Sequence, residues 1–502
     1  MTKRYDQLVP RLQEIHDLRF AKAVLEWDQQ TYMPEKGNEA RSRQMALLAS
    51  LAHEKQTSEQ LGEWISALQA ESSLSAEQKA LVREAKRDRD KAVNVPASLV
   101  REISETAGKA HATWSEARKK NRFRDFAPSL KRLIELKTQE ALARGVPGGR
   151  VPYDVLLDDF EPGATVEFLN PIISEARDIS RAALEAIQGS RKKPKFAILQ
   201  KIYPDAAQEK FGRFVMDHMG YDLAAGRLDR SVHPFTTSFD ADDVRITTRY
   251  EERWLPSSLF GIIHECGHAL YEQGLPRRHM GTPLGEAVSL GIHESQSRFW
   301  ENQVGRSREF WQYFFPSAKK AFPKALGTTK LDDFHFAVNA VRPSLIRVEA
   351  DEVTYNLHIV VRYELEQALF SGDLSVEDLP EAWNSKMKNY LGLKPKKDSE
   401  GVLQDVHWSF GGFGYFPTYL LGNLYASQWT ATLRKSMPDF RKKISTGKLL
   451  PIKKWMNENI HQYGRLYPAH ELAARISGEP LNPKHFDSYL KEKYGNLYQV
   501  SW

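Results

Sequence analysis

LFGIIHECGHALY, from Leu259 to Tyr271, sets two histidines and a glutamate into a run that is otherwise apolar. His264 and His268 are four residues apart, so on a helix their imidazoles stand one above the other, a spacing suited to one tetrahedral zinc ion. Glu265 then projects beside the metal, placed to take a proton from water. Gly267 leaves room for close packing against that face. With His at about 0.03 and Glu at about 0.07 of residues, H-E-x-x-H arises by chance roughly 0.03 times in a chain of this length. Burying such groups on an apolar helix is costly unless something satisfies them, and a metal does. The stretch therefore predicts a buried helix that carries a zinc site.

Two histidines need a third protein ligand. The longer HExxHxxGxxH signature is absent, because Tyr271 stands where its Gly would be and Gly274 where its third His would be. The helical stretch GEAVSLGIHESQSRFWEN, Gly285 to Asn302, offers Glu286, Glu294 and Glu301. At intervals of eight and seven residues all three fall near one helix face, and spacing does not choose among them.

Outward from these segments the chain reads as mostly helical. From Tyr5 to Ala143 apolar residues recur at three- and four-residue steps among many charges. Turn residues break the pattern at Met33–Gly37, Asn94–Ser98 and Gly145–Gly149. HPFTTSFDADDVRITTRY, His233 to Tyr250, is rich in Thr, Val, Ile and aromatics around an Asp-Ala-Asp-Asp turn and predicts a small antiparallel hairpin. Helices then resume, with loops at Gly274–Gly285, Leu393–Gly401 and Ser409–Pro417. The expected organisation is one mainly α domain over residues 1–502, with an N-terminal helical part about 1–145 and a catalytic part about 230–425.

Composition bounds the function classes. Of 502 residues, 41% are hydrophobic and 27% charged, as in an ordinary globular protein. The formal charge of +6 is a small imbalance over a large surface, and the run Arg191 to Lys195 reads as a solvated loop, so nucleic acid is not the expected partner. Cys266 is the single cysteine, which excludes an intrachain disulfide and suits a reducing compartment. The start lacks the apolar run of a secretory signal, and no stretch approaches the ~20 apolar residues of a membrane span. A cytoplasmic protein is expected, with no membrane partner.

Together the motifs resemble the carboxypeptidase Taq family of metallocarboxypeptidases: WDQQTYMP, VPYDVLLDDFEPG, HPF at His233, DVRIT at Asp243, HECGH, HESQ at His293, IRVEAD at Ile346 and GVLQDVHWSFGGFGYFPTY from Gly401. The resemblance implies stepwise removal of C-terminal residues from peptides with broad specificity, blocked at C-terminal proline. It implies Glu294 as third ligand and one zinc per chain, which cobalt can replace. It also implies a helical, saddle-like homodimeric enzyme with a deep groove, similar to angiotensin-converting enzyme and oligopeptidases.

The residues then take roles. Glu265 removes the water's proton and returns it to the leaving amine. His407, with Tyr415 and Tyr419 beyond it, offers donors to the oxyanion, and the resemblance favours His407 and Tyr419. A free carboxylate is well matched by a guanidinium, for which Arg347 is preferred, with Arg245 helping to close the end of the groove. An endo-oligopeptidase or aminopeptidase with the same centre is the rival reading, and a catalytically silent scaffold is disfavoured by the intact Glu265.

Overall fold

The computed structural model describes residues 3–502. Six helices open the chain: α1 (Lys3–Thr31), α2 (Asn38–Thr57), α3 (Glu59–Gln69), α4 (Ala76–Val93), α5 (Ala97–Lys120) and α6 (Phe123–Arg144). Their ends follow local chemistry. A capping box between Ser75 and Gln78 starts α4, and Gly145, at φ +89°, terminates α6 in a conformation a side chain would strain. The inner faces of α1, α3 and α4 bury Leu8, Leu12, Ile15, Leu61, Ile65, Leu68 and Leu81 in a small core of their own, joined by Leu284. Helices α5 and α6 pack instead into the main core through Ala110, Phe126, Leu130 and Leu133.

Next come α7 (Pro152–Leu157), α8 (Val166–Gly189) and α9 (Asp205–Met219). The sheet follows: β1 (Gly226–Arg230), β2 (Thr236–Asp240) and β3 (Asp243–Thr248), in the order β1-β3-β2. The expected hairpin is β2–β3, but the sheet is mixed, because β1 adds to β3 in parallel with Leu228 opposite Ile246. GRLDR carries three charges in five residues and has no strand propensity to announce it. Its Asp229 is instead fixed by Tyr32 of the turn after α1 and by Arg227.

The metal-motif helix α10 (Leu255–Gln273) lies against this sheet and α9, its apolar positions buried on nearly every side. Helix α11 (Leu290–Arg298) crosses it and runs directly into a π-helical segment, Phe299–Gly305. Glycines permit the crossing, since a Cβ on Gly267 would stand 2.7 Å from Ser297 Cα. The remainder comprises α12 (Arg308–Ala321), α13 (Pro323–Leu326), α14 (Leu331–Val338), α15 (Glu352–Ser371), α16 (Leu379–Leu391), α17 (Pro417–Ser436) and shorter helices ending at Tyr498. Among the described residues no helix is long and apolar enough to cross a membrane.

Candidate metal centre

Helix α10 presents His264 and His268, and α11 presents Glu294 towards them. One ligand atom from each lies within 4.8 Å of the other two. Glu294 Oε2 is 3.7 Å from His264 Nε2 and 3.4 Å from His268 Nε2. Metal–ligand bonds of about 2.0 Å at tetrahedral angles set ligand atoms about 3.3 Å apart, so both distances from Glu294 are near the spacing that a four-coordinate metal of that bond length needs.

The atoms behind the ligands fix their tautomers. A carboxylate only accepts, so His264 Nδ1–H donates to Glu301 Oε2 at 3.0 Å, which leaves Nε2 with its lone pair towards the site. His293 Nε2–H likewise donates to Glu272 Oε1 at 2.7 Å, so the neutral ring offers Nδ1 as an acceptor, and His268 Nδ1–H donates to it at 2.6 Å. Arg298 Nε donates to Glu294 Oε1 at 2.7 Å, while Oε2 faces the two imidazoles and accepts a longer bond from Ser297 Oγ at 3.3 Å. Burial raises the Glu294 carboxyl, but Arg298 and the histidines outweigh it and hold the group ionised far below the usual range. Burial also drives His268 down to about 3, whereas at His264 the same effect is overcome by Glu294 and Glu301, which raise it.

Glu301 and Glu286, the other two acids of the triplet, are elsewhere. Helix α11 starts only at Leu290, capped by Ser289, so Glu286 lies in the preceding loop and pairs with Arg465 at 3.1 Å. Glu301 lies past the change to π-helix, where it serves His264 and is held by Arg298 and Arg306. The one-face reading of this stretch holds for Glu294 and Glu301, which share His264 and Arg298 as partners, and fails for Glu286, because the helix begins only after it. Glu265, one residue after His264, is buried and accepts from Thr236 Oγ1 on β2 at 2.7 Å through Oε2. Burial pushes its carboxyl above the ordinary value.

A second group adjoins the first. His407 sits on the turn His407–Phe410, with Nε2 3.4 Å from Tyr419 Oη at the start of α17. Its ring packs 5.1 Å from Tyr415, and burial lowers it to about 4, so the imidazole is neutral near pH 7. Gly422, one turn beyond Tyr419, brings α17 onto α11, and a Cβ there would fall 2.4 Å from Glu294 Cγ. Arg347 is buried beside Tyr419, its guanidinium 5.0 Å from that ring. Its Nε donates to Asp405 at 3.0 Å and its Nη1 to Tyr355 at 3.0 Å. Arg362 occupies the other oxygen of Asp405 at 2.7 Å. Tyr355 in turn lies 4.4 Å beneath Arg298, which ties this group to the ligand helix.

Arg245 is placed differently. It is clamped by Asp243 through two bonds of 2.8 Å and stacked on Trp27 and Phe239, on the side of the sheet towards α1. Sequence reasoning did not assign Glu272, Arg298, Thr236 or Tyr355. Glu272, one turn after His268 on the same helix, was accessible from spacing, whereas the other three depend on tertiary contacts.

A model of the carboxypeptidase Taq (M32) metallopeptidase family matches residues 7–494. The chain belongs to this family. It is 45% identical to thermostable carboxypeptidase 1 of Thermus thermophilus, over 98% of this chain and 99% of the relative. It is 39% identical to carboxypeptidase 1 of Bacillus subtilis, over 99% and 98%. The solved M32 carboxypeptidase from Deinococcus radiodurans superposes with a TM-score of 0.96 at 38% identity, covering 99% of this chain and 100% of that one. The protein is therefore a metallocarboxypeptidase, a mainly α member of the family with a small sheet, and His264, His268 and Glu294 form a group that can hold its metal.

Proposed function

We propose that the protein is a zinc-dependent exopeptidase that removes C-terminal residues from peptides of varied sequence, one zinc per chain, with cobalt a competent substitute. The convergence of His264, His268 and Glu294 beside Glu265 carries this reading. Bound zinc supplies Lewis acidity to the scissile carbonyl and to a water. Thr236 occupies Glu265 Oε2, so Oε1 is the oxygen free to accept the water's proton and pass it to the leaving amine. His407 and Tyr419, with Tyr415 beside them, are donors for the oxyanion; burial keeps both phenols protonated.

Arg347 holds the substrate carboxylate. After its contacts with Asp405 and Tyr355, one N–H on each terminal nitrogen remains, a planar pair suited to two parallel bonds. Arg245 shapes the end of the groove and does not hold substrate: Asp243 takes its Nε–Nη2 edge, and Trp27 and Phe239 stack on the guanidinium on the α1 side of the sheet. The enzyme works as a single-domain chain in a homodimer, in the cytoplasm, where the lone buried Cys266 stays reduced.

Metal analysis combined with digestion of one free and one C-terminally amidated peptide tests the reading. One zinc per chain and cleavage of the free peptide alone is the expected result. Equal cleavage of both would make the enzyme an endopeptidase, and full activity without metal would remove the mechanism.

A further inference from the structure

Glu366 lies in the middle of α15, fully buried, and among the described residues it forms no ion pair. Arg362, one turn back, is committed to Asp405. Glu366 is nevertheless fully engaged. Trp408 Nε1–H donates to Oε1 at 2.7 Å, while Tyr153 Oη and the Gly414 N–H donate to Oε2 at 2.7 Å and 2.9 Å. Burial pushes the carboxyl up to about 7, and the three donors pull against that. An isolated buried acid of this kind is costly, and an apolar residue would fill the same space without the expense.

Its position in the chain gives the reason. Trp408 directly follows His407, and Gly414 directly precedes Tyr415. One carboxylate thus grips both ends of the loop that carries two of the proposed oxyanion donors. Trp408 and Phe413 are also buried in the main core and Ser409 Oγ lies 3.3 Å from His111 Nδ1, but Glu366 is the group that bonds to the residue next to His407 and to the one next to Tyr415. His407 Nδ1 is buried without a hydrogen-bond partner, and Gly411 and Gly414 both adopt positive φ. Gly414 packs so closely on α7 that a Cβ would come within 2.8 Å of the Leu156 carbonyl carbon.

We propose that Glu366 is a positioning residue for the hydrolytic step, clamping the His407–Tyr415 loop so that its donors meet the oxyanion. This rests on the role given above to His407 and Tyr415. Because those donors act mainly in the transition state, loosening the clamp lowers kcat and leaves KM and metal content nearly unchanged. Glu366→Gln keeps the shape but turns an amide N–H on at least one donor. It should lower kcat about ten- to hundredfold, and the loss should largely disappear in a His407→Ala background, since groups acting as one unit are non-additive.

If Glu366→Gln does not fold, a pair of single-donor variants decides the matter. Trp408→Phe frees the loop from the carboxylate, whereas Tyr153→Phe removes a donor that belongs to α7. The first should reduce kcat at constant zinc content, and the second should leave kcat within about twofold. Equal effects from the two, or full additivity of Glu366→Gln with His407→Ala, would reduce Glu366 to a structural role and overturn the proposal while sparing the functional reading. Undiminished turnover of His407→Ala and Tyr415→Phe would instead overturn the reading of the loop, and this proposal with it.

Discussion

Glu294, Glu301 and Glu286 are chemically alike, and their surroundings make three graded predictions. Glu294→Gln removes a charged ligand and should abolish tight metal retention. Glu301→Gln leaves the ligands in place but weakens the orientation of His264, which costs about 10–100-fold in metal affinity. Glu286→Gln should leave retention unchanged, because its partner is Arg465. Competition with a metal-binding dye measures all three, and equal losses would mean the ligand assignment is wrong. Glu265→Gln should keep fold and bound metal yet lose turnover, since an amide of the same shape cannot take the proton; near-normal turnover would require another base. For Arg347→Met the buried pair raises a question of stability. Asp405 keeps Arg362, so no charge is left alone, and the variant should fold. A charge-assisted contact of about 1.5–3 kcal/mol predicts a ten- to hundredfold fall in kcat/KM on free-carboxylate peptides. Amidated peptides should be barely affected, and Arg347→Lys should recover only part. Equal loss on both peptides would assign Arg347 to the protein's own framework.

At the scale of elements, helix α10 was the most legible part, because two histidines at i and i+4 within an apolar run are hard to satisfy except by a metal. The hairpin β2–β3 was legible from its β-branched residues. Strand β1 was not, since GRLDR is held by tertiary contacts with the end of α1, and neither was the late start of α11, where a loop sequence still carries helix-like spacing. The preference for Arg347 over Arg245 drew nothing from spacing either, because each is an arginine in a short motif, and it is in their packing that the two differ. What joins the readable pieces is close approach of helices. Gly422 lets α17 touch the very residue that α11 brings to the site. Gly422→Ala must therefore move Glu294 or part the helices, at about 1–3 kcal/mol. Faster metal loss together with a lower melting temperature is expected; unchanged metal-release kinetics would show that the contact is slack.

For the molecule as a whole, the small core of α1, α3 and α4 is too modest to stand by itself, and it joins the rest through Leu284 and Leu466 and through an ionic seam. Arg87 and Lys91 of α4 meet Asp158 at 2.8 Å and 3.0 Å, and Arg465 reaches back to Glu84 and Asp88 at 2.8 Å and 2.9 Å. Asp158 begins the short loop that ends at Glu161, whose Oε2 accepts from the Gly291 N–H at 3.0 Å at the entrance to α11. Docking of the N-terminal helices is in this way continuous with the placement of Glu294. Burial would raise Asp158, but Lys91, Arg87 and the Gly163 N–H lower it from 3.8 to about 2. A carboxyl with a depressed folded pKa contributes stability that is present above its unfolded value and is lost as pH falls through the folded one. The loss should therefore run from about pH 4 to about pH 2. Glu286, raised by its burial, works in the opposite sense and adds nothing to it. Asp158→Asn should cost roughly 1–2 kcal/mol at pH 7, less than the shift alone implies because the side chain is 25% exposed. It should also flatten the acid limb of stability measured by urea unfolding. At pH 3 the wild type should expose α4 amides to hydrogen exchange before those of α10. Simultaneous exposure of the two, or an acid limb as steep in Asp158→Asn as in the wild type, would show that the main core and not this ionic seam gives way first.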